Sequence, residues 1–162
     1  MKISKEMTAA INDQIKAEYD SAYIYLGMSA WFESEGLSGM AHWMRKQYGE
    51  EIEHTEKFIK YLYERGARVI IPGVDKPKES YASALEVFQT AYKHEQYVTE
   101  RIYKLVDQAL AEKDYATQSM LKWYVDEQVE EESSAEAIVS KLECLGDSKQ
   151  ALYMLDKELG GR

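Results

Sequence analysis

Apolar residues recur every three or four positions along four long stretches of this chain, the spacing that lines them up on one face of an α-helix. The first stripe reads Ile11, Ile15, Glu18, Ala22, Tyr25, Phe32. The second reads Met40, Met44, Gln47, Glu51, His54, Phe58, Tyr61. The third is Ala84, Phe88, Ala91, Glu95, Val98, Ile102, Leu105, and the fourth is Leu121, Tyr124, Gln128, Glu131, Ala135, Ile138, Leu142. These stripes predict helices over about 5–35, 39–65, 84–112 and 115–145, with a short fifth over about 148–159. Local punctuation agrees. Ser4 and Asp114 sit where N-caps are needed, Ser83 and Glu86 have capping-box spacing, and Gly66 and Gly146 stand just past helix ends.

The connections set the topology. Very few residues join the first helix to the second, or the third to the fourth, so each pair runs antiparallel. The second and third are joined by Ala67–Ala82, the stretch that holds both prolines, Pro72 and Pro77. Extended, a segment of this length reaches roughly 50 Å at about 3.3 Å per residue, while the second helix is roughly 40 Å long at about 1.5 Å per residue. It can therefore run the length of the bundle and make the second and third helices parallel. The expected fold is all-α: one domain over 1–162, a four-helix bundle with one long crossover and a short fifth helix.

Each stripe is broken at mid-helix by an acid: Glu18, Glu51, Glu95 and Glu131. A lone carboxylate in an apolar core is so unfavourable that it protonates or finds a partner. No Lys or Arg occupies a stripe to supply one. Bound cations offset all four acids together. Carboxylates with an imidazole suit iron, manganese or zinc, and this many acids balance two divalent ions better than one. Known di-iron bundles take one Glu from each of two helices and Glu-x-x-His from each of the other two. Here Glu18 and Glu95 are the single acids, and Glu51-Ile52-Glu53-His54 is one Glu-x-x-His. The fourth helix has Gln128-Val129-Glu130-Glu131, with the same spacing but Gln for Glu and Glu for His. The two metal positions are therefore expected to be inequivalent.

Composition narrows the partners. The chain is 45% hydrophobic, which fits a globular protein. It has no run of about 18 apolar residues to cross a membrane. The net charge of −9 argues against nucleic acid, which needs clustered Lys and Arg, and is compatible with cations. A single cysteine, Cys144, forms no intrachain disulfide, and the N-terminal stretch does not read as a signal peptide. Both fit a cytoplasmic protein.

The residues Ala17-Glu18-Tyr19, Tyr25, Glu50-Glu51-Ile52-Glu53-His54, Lys93-His94-Glu95-Gln96 and Trp123 through Glu132 resemble the bacterial non-haem ferritins, over nearly the whole chain. The resemblance implies an iron-storage protein and ferroxidase: a cage of twenty-four chains that oxidises Fe(II) with O₂ or H₂O₂ and stores ferric oxyhydroxide mineral. It implies that Glu18, Glu51 and His54 hold a first iron. Glu51 would bridge to a second, completed by Glu95 and Glu131 with Gln128 nearby. Glu50, Glu127, Glu130 and a shared Glu131 match the ligands of a third site towards the cavity. Tyr25 matches the family's tyrosine beside the di-iron centre, an electron donor or hydrogen-bonding partner.

Related bundles are set aside on single residues. Bacterioferritin and rubrerythrin-like bundles carry a second Glu-x-x-His, whereas position 131 here is Glu. Bacterioferritin holds haem through a Met directly after its second-helix glutamate; this chain has Ile52 there, so no haem is expected. Mini-ferritins lack a fifth helix and place their iron between subunits. Animal ferritins line an inward channel with acids where this chain has Gln118 and Leu121, so the route for incoming iron does not carry over. The alternative is another di-iron bundle enzyme, of the peroxide reductase type. His42 and His94 read as structural or surface residues, the three Trp as packing or interface aromatics, Met28, Met40, Met44 and Met120 as core, and Cys144 as a small packing residue.

Overall fold

The computed structural model describes residues 2–162. Five helices follow one another: α1 (Lys5–Ser34), α2 (Ser38–Glu64), α3 (Ala84–Ala111), α4 (Tyr115–Leu145) and α5 (Lys149–Leu159). Their starts are fixed by side chains that satisfy otherwise orphaned N–H groups. Ser4 Oγ accepts from the Met7 N–H at 2.8 Å, Ser83 Oγ from Glu86 at 3.1 Å, and Asp114 Oδ1 from Thr117 at 3.2 Å. The expected box at Ser83 closes only on one side. The Glu86 carboxylate turns instead to the Ala82 N–H and the Lys78 ammonium, each at 2.5 Å.

α2 has no side-chain cap of its own. Asp156 of α5 supplies one, its Oδ1 accepting from the Met40 N–H at 2.8 Å. Gly39 makes that approach possible, because a Cβ there would lie 1.7 Å from the Asp156 carbonyl oxygen. The short fifth helix is thereby pinned to the start of the second.

The crossover lies along α1. Asn12 donates to the Arg68 carbonyl at 3.0 Å and accepts from the Ile70 N–H at 2.7 Å. Further on, Asp20 Oδ1 accepts from the Asp75 N–H at 2.9 Å, and Pro77 lies against Gly27. Successive crossover residues thus meet successive turns of α1, from one end of the bundle to the other. α3 consequently starts at the end where α1 finishes, and runs parallel to α2.

Every residue of the four stripes is buried. The apolar core they build comes in two parts. One cluster gathers Phe32, Met40, Met44, Phe88, Ile138 and Leu155; the other gathers Ile11, Ile15, Phe58, Ile102, Leu121 and Tyr124. Cys144 departs from expectation: it is exposed on α4 and packs into neither cluster. Among the described residues no helix is long and apolar enough to cross a membrane.

Candidate metal centre

The polar intruders fill the gap between the two apolar clusters. Glu18 comes from α1, Glu51 and His54 from α2, Glu95 from α3, and Gln128 and Glu131 from α4. Glu18 and Glu51 are each 1% exposed, Glu95 is 0% and Glu131 is 7%, so all four acids are buried.

Ligand atoms of Glu18, Glu51 and His54 lie within 4.8 Å of one another, and so do those of His54, Glu127 and Glu131. His54 belongs to both groups. Its Nδ1 stands 3.4 Å from Glu51 Oε2. Glu18 Oε2 and Glu51 Oε2 are buried and have no hydrogen-bond partner. Two buried carboxylate oxygens without a protein partner are strongly unfavourable as anions until a cation meets them. Hard oxygen donors with one imidazole are a set that iron accepts.

Glu95 is held differently and falls outside both groups. The Tyr25 hydroxyl donates to its Oε1, and Gln128 Nε2 donates to its Oε2 at 3.1 Å. Gln128 is steadied in turn by the Glu95 carbonyl at 3.2 Å and the Thr99 hydroxyl at 3.3 Å. Each Glu95 oxygen thus carries one hydrogen bond and keeps a lone pair for a metal. Of the residues expected further out, Glu127 is half-buried and close to His54 and Glu131. Glu50 is half-buried and paired with Arg162 at 2.8 Å, and Glu130 is exposed on α4, outside both groups.

Burial and crowding set the protonation of the acid layer. Burial first, then the Glu51 charge, pushes the Glu18 carboxyl up to about 8. Burial and Glu95 push Glu131 up to about 7. Burial also lifts Glu51 well above the usual carboxylate range, with the Glu95 charge adding to it. Glu95 is raised by burial against the opposing bonds from Tyr25 and Gln128. Near neutrality the layer thus keeps protons that an arriving cation displaces.

The family model described as a ferritin-like domain matches residues 8–145. This chain belongs to the ferritin family. It is 43% identical to a bacterial non-heme ferritin of Bacteroides fragilis, with 99% of each chain covered. It is 42% identical to one from Staphylococcus aureus, over 99% of this chain and 96% of the relative. Among solved structures, an open pore ferritin from the hyperthermophilic archaeon Archaeoglobus fulgidus superposes with a TM-score of 0.99 at 49% identity, covering 99% of each chain.

Two parts of this ferritin's centre escaped the sequence reading. Gln14 is fully buried, and its Nε2 donates to Glu18 Oε1 at 2.9 Å. It stands four positions before Glu18, as Gln47 stands four before Glu51, and that shared spacing on one helix face was the available signal. Trp123 packs against the second apolar cluster, as expected, and its place beside His54 is the part that was not foreseen. Its ring meets the His54 ring edge-on at 5.3 Å, under the Lys57 ammonium at 3.3 Å from its centroid. Tyr124 closes the same side, donating to the His54 carbonyl at 2.6 Å. His94, by contrast, is a structural residue as expected: it bonds the Ser21 hydroxyl at 2.7 Å, away from the layer.

Proposed function

We propose that this ferritin takes Fe(II) as substrate, binds two ions in the buried acid layer, oxidises them with O₂ or H₂O₂, and stores the product as ferric oxyhydroxide inside a cage of twenty-four chains. The observation that carries the reading is the layer itself: four buried acids from four helices, two of their oxygens without a protein partner. In this reading Glu18, Glu51 and His54 hold the first iron. Glu51 bridges to the second, which Glu95 and Glu131 complete with Gln128 beside it. Glu50, Glu127, Glu130 and Glu131 form a third position on the way to the cavity. The closeness of Glu127 to both His54 and Glu131 supports a short path out of the centre.

The chemistry follows from holding two ions side by side. Each Fe(II) gives one electron, and O₂ takes the pair with two protons to become H₂O₂, so no one-electron oxygen radical is released. With H₂O₂ as oxidant the same pair of electrons and two protons yield two waters. Carboxylates are hard anionic donors and favour the ferric product. The carboxyl protons of Glu18 and Glu131 leave as cations arrive. Tyr25 keeps a hydrogen bond on Glu95, so this ligand is oriented before any metal binds.

Anaerobic titration with Fe(II) is the direct test. Two tight positions per chain and a weaker third are expected; one position, or none, sinks the reading. Glu51→Ala should slow Fe(II) oxidation by more than about a hundredfold, since losing a group merely behind a ligand already costs up to that much. It should still elute as a cage of roughly half a megadalton, since the residue lies inside one bundle and not between chains. Oxidation at the parent rate in that variant contradicts the assignment of the bridge.

A further inference from the structure

Two acids of the layer are gripped from outside by the same device. On the side of α1 and α3, Arg101 Nε donates to Gln14 Oε1 at 2.9 Å, and Gln14 Nε2 donates to Glu18 Oε1 at 2.9 Å. On the side of α2 and α4, Arg162 Nη1 donates to Gln47 Oε1, and Gln47 Nε2 donates to Glu131 Oε2 at 2.7 Å. Both glutamines are fully buried. Both arginines are anchored beyond them. Arg101 reaches Asp13 Oδ2 at 2.6 Å and the Tyr97 hydroxyl at 3.2 Å; Arg162 reaches both Glu50 oxygens at 2.8 and 3.1 Å and lies over the Trp43 ring at 4.8 Å.

The order of groups in each chain of bonds has a directional consequence. A glutamine amide can turn either end towards a neighbour, but a guanidinium has only donors. With arginine outside, the amide oxygen must face out and the NH₂ must face in. An inward NH₂ donates to one carboxylate oxygen and fixes it, which leaves the other oxygen the freer of the two for a metal. Glu18 fits this: Oε1 is bound to Gln14, and Oε2 is the atom left without a partner. We propose that Arg101 and Arg162 are positioning residues of the iron centre, acting through Gln14 on Glu18 and through Gln47 on Glu131, and that each relay selects which carboxylate oxygen is presented to the metal. This rests on the reading that Glu18 and Glu131 are ligands of two different metal positions.

Neither arginine touches Glu18, Glu51, His54, Glu95 or Glu131, and Arg162 meets only Glu50 of the third position, so for the first two positions the relays predict a crossed pattern. The test is anaerobic titration of the assembled protein with Co(II), following its visible ligand-field bands and the dissociation constant of each position. Arg101→Leu and Gln14→Leu should weaken the Glu18 position about tenfold, the usual effect of losing a group behind a ligand, and leave the Glu131 position unchanged. Arg162→Leu and Gln47→Leu should do the reverse. The Arg101→Leu/Gln14→Leu double variant should be no weaker than Gln14→Leu alone, because the arginine acts only through the amide. A general loss of packing would weaken both positions in every variant and make the pair additive, and either outcome overturns the proposal. Glu18→Ala serves as the reference. If it abolishes the first position while Arg101→Leu and Gln14→Leu change nothing, the relay is wrong and the centre stands. If Glu18→Ala leaves Co(II) binding as it was, the ligand assignment fails and the relay with it.

Discussion

Glu18 resists ionisation in the folded chain. Its carboxyl, pushed up to about 8, keeps a proton in the folded chain where the unfolded chain, near 4.5, has released it. Glu131, pushed up to about 7, behaves likewise. In the metal-free protein the folded state therefore binds more protons between those values. That contribution to stability is complete below about pH 4.5 and is lost as the pH rises through about 7 to 8. Metal-free protein should lose stability from about pH 5 to pH 8, by at most about 1.4 kcal/mol per pH unit for each such proton. Glu18→Gln removes one of these protons and should raise the metal-free Tm at pH 8 by several degrees, with little change at pH 5; thermal unfolding at the two pH values decides it, and an equal shift at both contradicts it. The same unfavourable burial made Glu18, Glu51, Glu95 and Glu131 legible in the sequence, since four charges in apolar stripes stand out. Gln14, Arg101 and Arg162 did not, because a buried glutamine is only mildly unusual and a surface arginine is ordinary.

At the scale of the helices, the docking of α5 is the contact most open to test. Gly39→Ala drives a methyl group into the Asp156 carbonyl, so α5 or α2 must shift. Such overpacking should cost about 1–3 kcal/mol in urea unfolding. Asp156→Ala removes the cap on the Met40 N–H and should cost about 1 kcal/mol. Because both act on one contact, the double variant should cost less than the sum, and strict additivity would mean that the two residues work separately. Helix limits were read to within a residue because Ser4, Ser83 and Asp114 cap as their spacing predicts. The α5 contact was not readable, since its donor and acceptor lie 116 positions apart and α2 begins without a cap residue. The half-formed box at Ser83 has a similar origin: Lys78, brought near by the crossover, draws Glu86 aside.

Over the whole molecule, topology followed from lengths: short joints force antiparallel neighbours and a long one permits a parallel crossover. What no length could give is the partition of the interior into two apolar clusters with the acids between them. In most helical proteins, amide protons exchange fastest at frayed ends and slowest near the middle. Here the middle holds the unsatisfied groups. Stripped of metal, the bundle should exchange its amides around Glu18, Glu51 and Glu131 faster than those beside Phe32 or Phe58, and adding Co(II) should restore the usual order. A stripped protein whose slowest amides are central would show that its two halves are already welded together without any ion.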